Sequence, residues 1–133
     1  MKRIICLLCA LLIVVTAVGC TSEPQEMLDF SNYDERLTYI ELDKVVRAPG
    51  DYVGRDMKLN GVYMTSKNEA TGETMHICLV TDDTACCSTF IEFQLKAGAE
   101  YPPENTKITV SGNIQTVKRI STTYGILLNA TLE

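Results

Sequence analysis

The apolar pattern predicts a mainly β domain of five strands preceded by one short helix. Three observations carry this. Apolar and polar residues alternate in five runs between Met57 and Leu132, the period of a strand with one face buried. Gly61 and Gly112 fall in the middle of the first and fourth runs, where a strand must curve sharply. The third and fourth runs are joined by Lys96–Asn105, whose Pro102-Pro103 excludes a central strand. Together these give the plan of a five-stranded, partly open Greek-key barrel, the OB-fold. On period and glycine placement alone, a small β-sandwich is the competing arrangement.

The helix comes first. In Arg36–Arg47, Leu37, Ile40, Val45 and the pair Leu42 and Val46 make a loose helical stripe. Thr38 is the expected N-cap and Glu41 its capping-box partner. Ala48-Pro49-Gly50 ends it. The first strand follows, with Met57, Leu59, Gly61 and Tyr63 on one face. Asn68–Gly72 is a turn, and Thr74–Val80 is the second strand. The third, Thr89–Leu95, turns Ile91, Phe93 and Leu95 inward and Phe90, Glu92 and Gln94 outward. In the fourth, Lys107–Thr116, the inward set is Ile108, Val110, Gly112 and Ile114. Lys118–Thr122 reads as a turn. The last strand, Thr123–Leu132, is expected to show Tyr124, Ile126, Leu128 and Ala130 on one face.

Ahead of this domain the chain has a different character. Lys2 and Arg3 precede an apolar run from Ile4 to Val18, the pattern of a secretory signal. The run is short for a bilayer span, which takes roughly 20 residues. Its end, Ala17-Val18-Gly19-Cys20, resembles the lipobox of bacterial lipoproteins. That resemblance implies cleavage before Cys20 and lipid on Cys20. The expected organisation is a lipoprotein signal peptide over 1–19, a flexible tether over 20–36 and the OB-fold-like domain over 37–133. The protein would then sit on the extracytoplasmic face of the cell membrane, held by its lipid anchor.

Charge narrows the partners. The formal net charge is −5, and loss of Lys2 and Arg3 with the signal makes it two units more negative. Phosphate backbones are held by clustered Lys and Arg, so no nucleic acid is expected. Of the six cysteines, Cys6 and Cys9 leave with the signal and Cys20 takes lipid. Cys78, Cys86 and Cys87 remain, an odd number for an oxidising compartment.

A further resemblance rests on particular segments. Pro49-Gly50-Asp51-Tyr52-Val53-Gly54-Arg55, Thr81-Asp82-Asp83-Thr84-Ala85-Cys86-Cys87, Ile91-Glu92-Phe93 and Tyr101-Pro102-Pro103-Glu104-Asn105 occur in that order. The chain thereby resembles small OB-fold lipoproteins of Gram-positive bacteria that carry an acidic-Ala-Thr-Ala-Cys-Cys segment before an Ile/Leu-Glu-Phe strand. Those are distantly similar to the soluble OB-like subunit of a permease family linked to zinc. The resemblance implies a membrane permease or other protein partner.

The residues with the most chemistry lie in one predicted hairpin, His76–Phe93. His76 and Cys78 share a strand face, and Cys86 and Cys87 follow the turn. With Asp82, these residues have the ligand types for zinc or copper. A disulfide is the competing reading, most simply Cys78 with Cys86 or Cys87, with an adjacent Cys86–Cys87 bridge as a strained alternative, and three free thiols are the third. Beyond the expected signal peptide, which takes Cys6 and Cys9 with it, Cys-x-x-Cys is lacking, and so is a Gly-rich phosphate loop. The expected role is therefore a non-catalytic binding or accessory module, as for a transport system. An extracytoplasmic zinc- or copper-binding protein is the alternative, and an enzyme is not expected.

Overall fold

The computed structural model describes residues 25–133. The expected signal peptide and Cys20, the expected site of lipid attachment, lie outside them. The described chain is mainly β, with six strands in one sheet that closes into a ring, and one α-helix. The strands are β1 (Leu28–Asp29), β2 (Asp56–Lys67), β3 (Thr74–Thr81), β4 (Ser88–Leu95), β5 (Lys107–Arg119) and β6 (Thr122–Leu132). Their order is β1-β2-β3-β4-β6-β5, and β2 pairs with β5 to close the ring. β1–β2 and β4–β6 run parallel, and the other pairs are antiparallel.

Of the expected tether over 20–36, residues 20–24 lie outside the described ones, and within the rest Leu28–Asp29 form a sixth strand. β3 pairs only with Val62–Lys67 of β2, which leaves the first half of β2 an open edge on that side. β1 pairs there with Met57 and Lys58. The Phe30 amide then donates to Lys58 O at 2.7 Å, and the Phe30 ring is buried in the core and stacked on Tyr33. One buried aromatic and an unfilled strand edge are enough to order a segment with no periodicity of its own.

The helix α1 (Glu35–Arg47) starts earlier than expected. Asp34, not Thr38, is its N-cap: the Asp34 carboxylate accepts from the Leu37 amide at 2.7 Å, where its charge also suits the helix dipole. Thr38 lies inside the helix, buried, and its hydroxyl donates to Asp34 O at 2.8 Å. Glu41 pairs with Lys44 rather than closing a capping box. The buried stripe is Thr38, Leu42 and Val45, packed over β4, β3 and β6, whereas Leu37 and Ile40 face outward. A 3-10 turn over Pro49–Tyr52 then leads into β2.

Inside the ring the expected faces hold for β2, β4 and β5: Met57, Leu59, Tyr63, Ile91, Phe93, Ile108, Val110 and Ile114 are all buried. Gly61 is required by close approach. A Cβ there would overlap Cys78 Sγ and stand 2.7 Å from Leu79 O.

β6 departs from its expected face. Leu127 and Ala130 are buried, while Tyr124 is exposed and Leu128 only half-buried. The cause is a bulge: Asn129 takes φ 52°, and the β4–β6 ladder passes from Phe93↔Leu127 to Leu95↔Ala130. One extra residue resets the alternation. The β5–β6 turn is also tighter than expected, only Ile120-Ser121, so β5 runs on to Arg119.

Candidate functional site

The structure does not bring the predicted ligand set together. Cys78 points into the ring and is 0% exposed, and burial pushes its thiol up to about 12. It faces Ile91 in the ladder, and the Thr81↔Ser88 pair lies about 10 Å further along the strand. Cys86 lies beyond that pair. A disulfide needs Cα atoms within about 7 Å, so the expected Cys78–Cys86 bridge does not form, and all three cysteines are free. His76 is further off still, since the strand from His76 to Thr81 is about 16 Å long. Among the described residues no group of three or more His, Cys, Asp or Glu side chains could hold a metal ion. The set His76, Cys78, Asp82, Cys86 and Cys87 is thereby corrected.

Asp82 has a different job, organising the turn between β3 and β4. Its Oδ1 accepts from the Cys86 and Cys87 amides at 2.9 and 3.3 Å, and its Oδ2 from the Thr84 hydroxyl at 3.0 Å. Desolvation works against its charge. The Cys87 amide, the Thr84 hydroxyl and the Cys86 amide outweigh that and hold its carboxyl below the ordinary value. Ala85, at φ 53°, turns the chain between them. Cys86 and Cys87 are exposed at the tip, and the Cys87 thiol is pushed up, first by its hydrogen bond with Cys86.

His76 belongs to an aromatic stack instead. Its ring lies on Tyr101 at 3.6 Å between centroids and 10° between planes. Its Nδ1 is 2.7 Å from the Tyr63 hydroxyl. Tyr63 and Tyr101 both pack against Phe93, and the Tyr101 hydroxyl accepts from the Leu95 amide at 3.2 Å. Desolvation lowers the His76 pKa, with Glu92 acting the other way. The half-buried imidazole is therefore neutral near pH 7.

A pair the sequence reading passed over lies next to this stack. Arg119, at the end of β5, donates to both carboxylate oxygens of Glu92 on β4, at 2.6 and 2.9 Å. The side chains are only 18% and 14% exposed. β6 lies between β4 and β5 in the sheet, so the contact spans a whole strand. The hydrogen bond to Glu92 raises the Arg119 pKa first of all, and the guanidinium stays charged.

Two cavities flank this pair, and both are lined by it. One, of about 430 Å³, is bounded by Val46, Met75, Phe90, Ile120 and Tyr124. The other, of about 500 Å³, is bounded by His76, Tyr101, Gln94, Gln115 and Thr116. The first is walled by apolar side chains held open to solvent: Phe90 is 44% exposed and Ile120 88%. The second is mixed, with Gln94, Gln115, Thr116 and the imidazole–phenol stack beside Phe93, Val117, Ile126 and Leu128. A groove results, mainly apolar on one side and mixed on the other, with a satisfied ion pair between. Glu92 was readable as an outward residue of its strand. The alternation gave no sign of Arg119, which fell at a presumed turn, or of Tyr101, which fell in a presumed connection.

No family model matches the chain, and no curated protein matches it. Among solved structures, a "putative nucleic acid-binding lipoprotein" from Klebsiella pneumoniae is similar to it, with 18% identity and a TM-score of 0.49 over 80% of this chain and 92% of that one. That description runs against the expectation, drawn from net charge, that no nucleic acid is bound, and the expectation is withdrawn.

Proposed function

We propose that the protein is a lipid-anchored, non-catalytic binding module, held at the extracytoplasmic face of the cell membrane through Cys20, whose ligand lies in the groove along Glu92 and Arg119. The anchor rests on the sequence up to Cys20. The observation that carries the groove is the Glu92–Arg119 pair between two cavities of about 430 and 500 Å³. Concave sites of this size with a few converging polar groups are where small ligands and polymer segments dock. Read as an OB barrel of β2 to β6, the groove uses the second and third strands, β3 and β4. It also uses the β5–β6 turn, with Asn68 contributed from the β2–β3 turn. That is the face on which OB-folds take oligonucleotides and oligosaccharides. A non-catalytic role for the groove is supported by how the reactive groups in and behind it are spent. Glu92 and Arg119 satisfy each other, His76 is committed to Tyr63, and Cys78 is a buried, protonated thiol. An accessory role beside a membrane permease rests on the family resemblance alone.

The test is a backbone amide NMR titration with three probe sets: short oligosaccharides, single-stranded oligonucleotides and small aromatic fragments. Saturable shifts clustered at Phe90, Glu92, Arg119 and Tyr124 are expected for at least one set. Saturable binding confined to the separate cavity beside Asn60 and Thr109, or no shifts in the groove with any set, overturns the reading.

A further inference from the structure

Cys86 and Cys87 are absorbed neither by the groove nor by the core. Both are exposed and free. Both amides are tied to one carboxylate oxygen of Asp82. The Asp82 amide donates back to Cys87 O at 3.0 Å and the Ala85 amide to Asp82 O at 3.0 Å. The turn therefore presents two neighbouring thiols on a fixed backbone. The remaining cysteine, Cys78, is sealed inside the ring.

We propose that Cys86 and Cys87 form a vicinal dithiol that reacts as a pair with external disulfides and closes into an intramolecular Cys86–Cys87 bridge. The chemistry is ordinary thiol–disulfide exchange. A thiolate of the pair attacks one sulfur of the external disulfide. An S–S bond forms to the protein, the external S–S bond breaks, and the first external thiolate leaves. The second protein thiolate then attacks the protein sulfur of this mixed disulfide, and the second external thiolate leaves. The two protons lost by the cysteines end on the two released thiols. The protein pair is oxidised by two electrons and the external disulfide is reduced by two.

Geometry sets the character of the bridge. Neighbouring Cα atoms are about 3.8 Å apart across a trans peptide, below the roughly 4.4–6.8 Å of ordinary disulfides. Closing the ring must shift the peptide between Cys86 and Cys87 and so disturb the two hydrogen bonds their amides donate to Asp82. Strained, exposed bridges are the easily reduced ones. This turn is therefore a site of reversible oxidation rather than a structural staple.

The experiment uses the full chain in detergent, treated with excess oxidised glutathione, acid-quenched and alkylated under denaturing conditions. Proteolysis at Asp83 separates Cys78 from the Cys86-Cys87 peptide for mass analysis. The expected product is that peptide lighter by two hydrogen atoms, without alkyl groups or glutathione, while Cys78 is alkylated throughout. Excess reduced glutathione should return both thiols. The Cys86→Ser variant, unable to close the ring, should keep one glutathione on Cys87. Glutathione on both cysteines of the native chain overturns the proposal. So does an interchain-linked peptide, or an unmodified dithiol peptide after prolonged treatment.

Discussion

Gly61 has no room for a side chain beside Cys78 inside the ring, which makes it one of the least replaceable residues. Gly61→Ala places a methyl group against Cys78 Sγ and the Leu79 carbonyl at once. Overpacking of this kind costs about 1–3 kcal/mol, read as a fall in the urea midpoint. Adding Cys78→Ala should restore only part of that loss, because the carbonyl cannot yield as a side chain does. Full restoration by the double variant would show that the carbonyl contact is relieved by backbone movement. His76 gives a second expectation. Burial lowers its folded pKa, so the folded state favours the neutral ring. The unfolded chain takes up its proton first, as pH falls through the ordinary histidine value near 6.5. The contribution of His76 to stability is therefore complete above that pH. It is lost as pH falls from there toward the lower folded value, and levels off below it. His76→Gln should remove this component. The stability gap between wild type and variant, measured by urea titration, should shrink between pH 7.5 and 5.5. A gap that is flat with pH contradicts the assignment.

The elements differ in how openly the sequence declares them. β2, β4 and β5 read directly, because each buries one face and so alternates without a break. β6 misleads, since the Asn129 bulge changes phase without any signal in polarity. β1 is two residues long and has no period to read; the open edge of β2 specifies it, which is tertiary information. The helix stripe was half legible. Leu42 and Val45 of that stripe are buried, but Leu37 and Ile40 point to solvent because the cap sits at Asp34 and the buried row runs through Thr38. Asp34 should accordingly matter more than either residue of the expected capping box. Asp34→Ala loses the Leu37 amide's acceptor and should cost about 1 kcal/mol in thermal or urea unfolding. Glu41→Ala should cost a few tenths, as an exposed helix ion pair does. The opposite ranking would return the cap to Thr38. The candidate site was less legible than the fold. Its hairpin was located, but its ligand set assumed that residues sharing a hairpin share a place. Strand length separates them, and Cys78 faces inward.

A single contact gives the whole barrel its groove, and it joins two strands that are not neighbours. Arg119 and Glu92 meet across β6, so they fix the tip of the long β5–β6 hairpin over the outer face of β4. Without that tie, the turn at Ile120-Ser121 has little else to hold it, for Ile120 is 88% exposed. Glu92→Gln should leave the guanidinium largely buried beside an uncharged partner. Breaking one side of a buried pair costs about 3–5 kcal/mol, and the residual exposure of these side chains places the expectation at the low end, about 3. Hydrogen exchange should quicken at Val117–Tyr124 ahead of the rest of the sheet, since the tip is released before the barrel opens. The double variant Glu92→Leu, Arg119→Met removes both charges and keeps much of the volume, so most of the stability should return. Its groove, however, would lack the ion pair between the two cavities. A ligand held by the Glu92–Arg119 pair should then lose binding although the fold is intact, whereas one held by Phe90 and Tyr124 alone should bind as before. Unfolding of the single variant with uniform hydrogen exchange across β2 to β6 would show that the pair supports the barrel as a whole and does not position the hairpin. That outcome would remove the physical basis for placing the ligand between the two cavities.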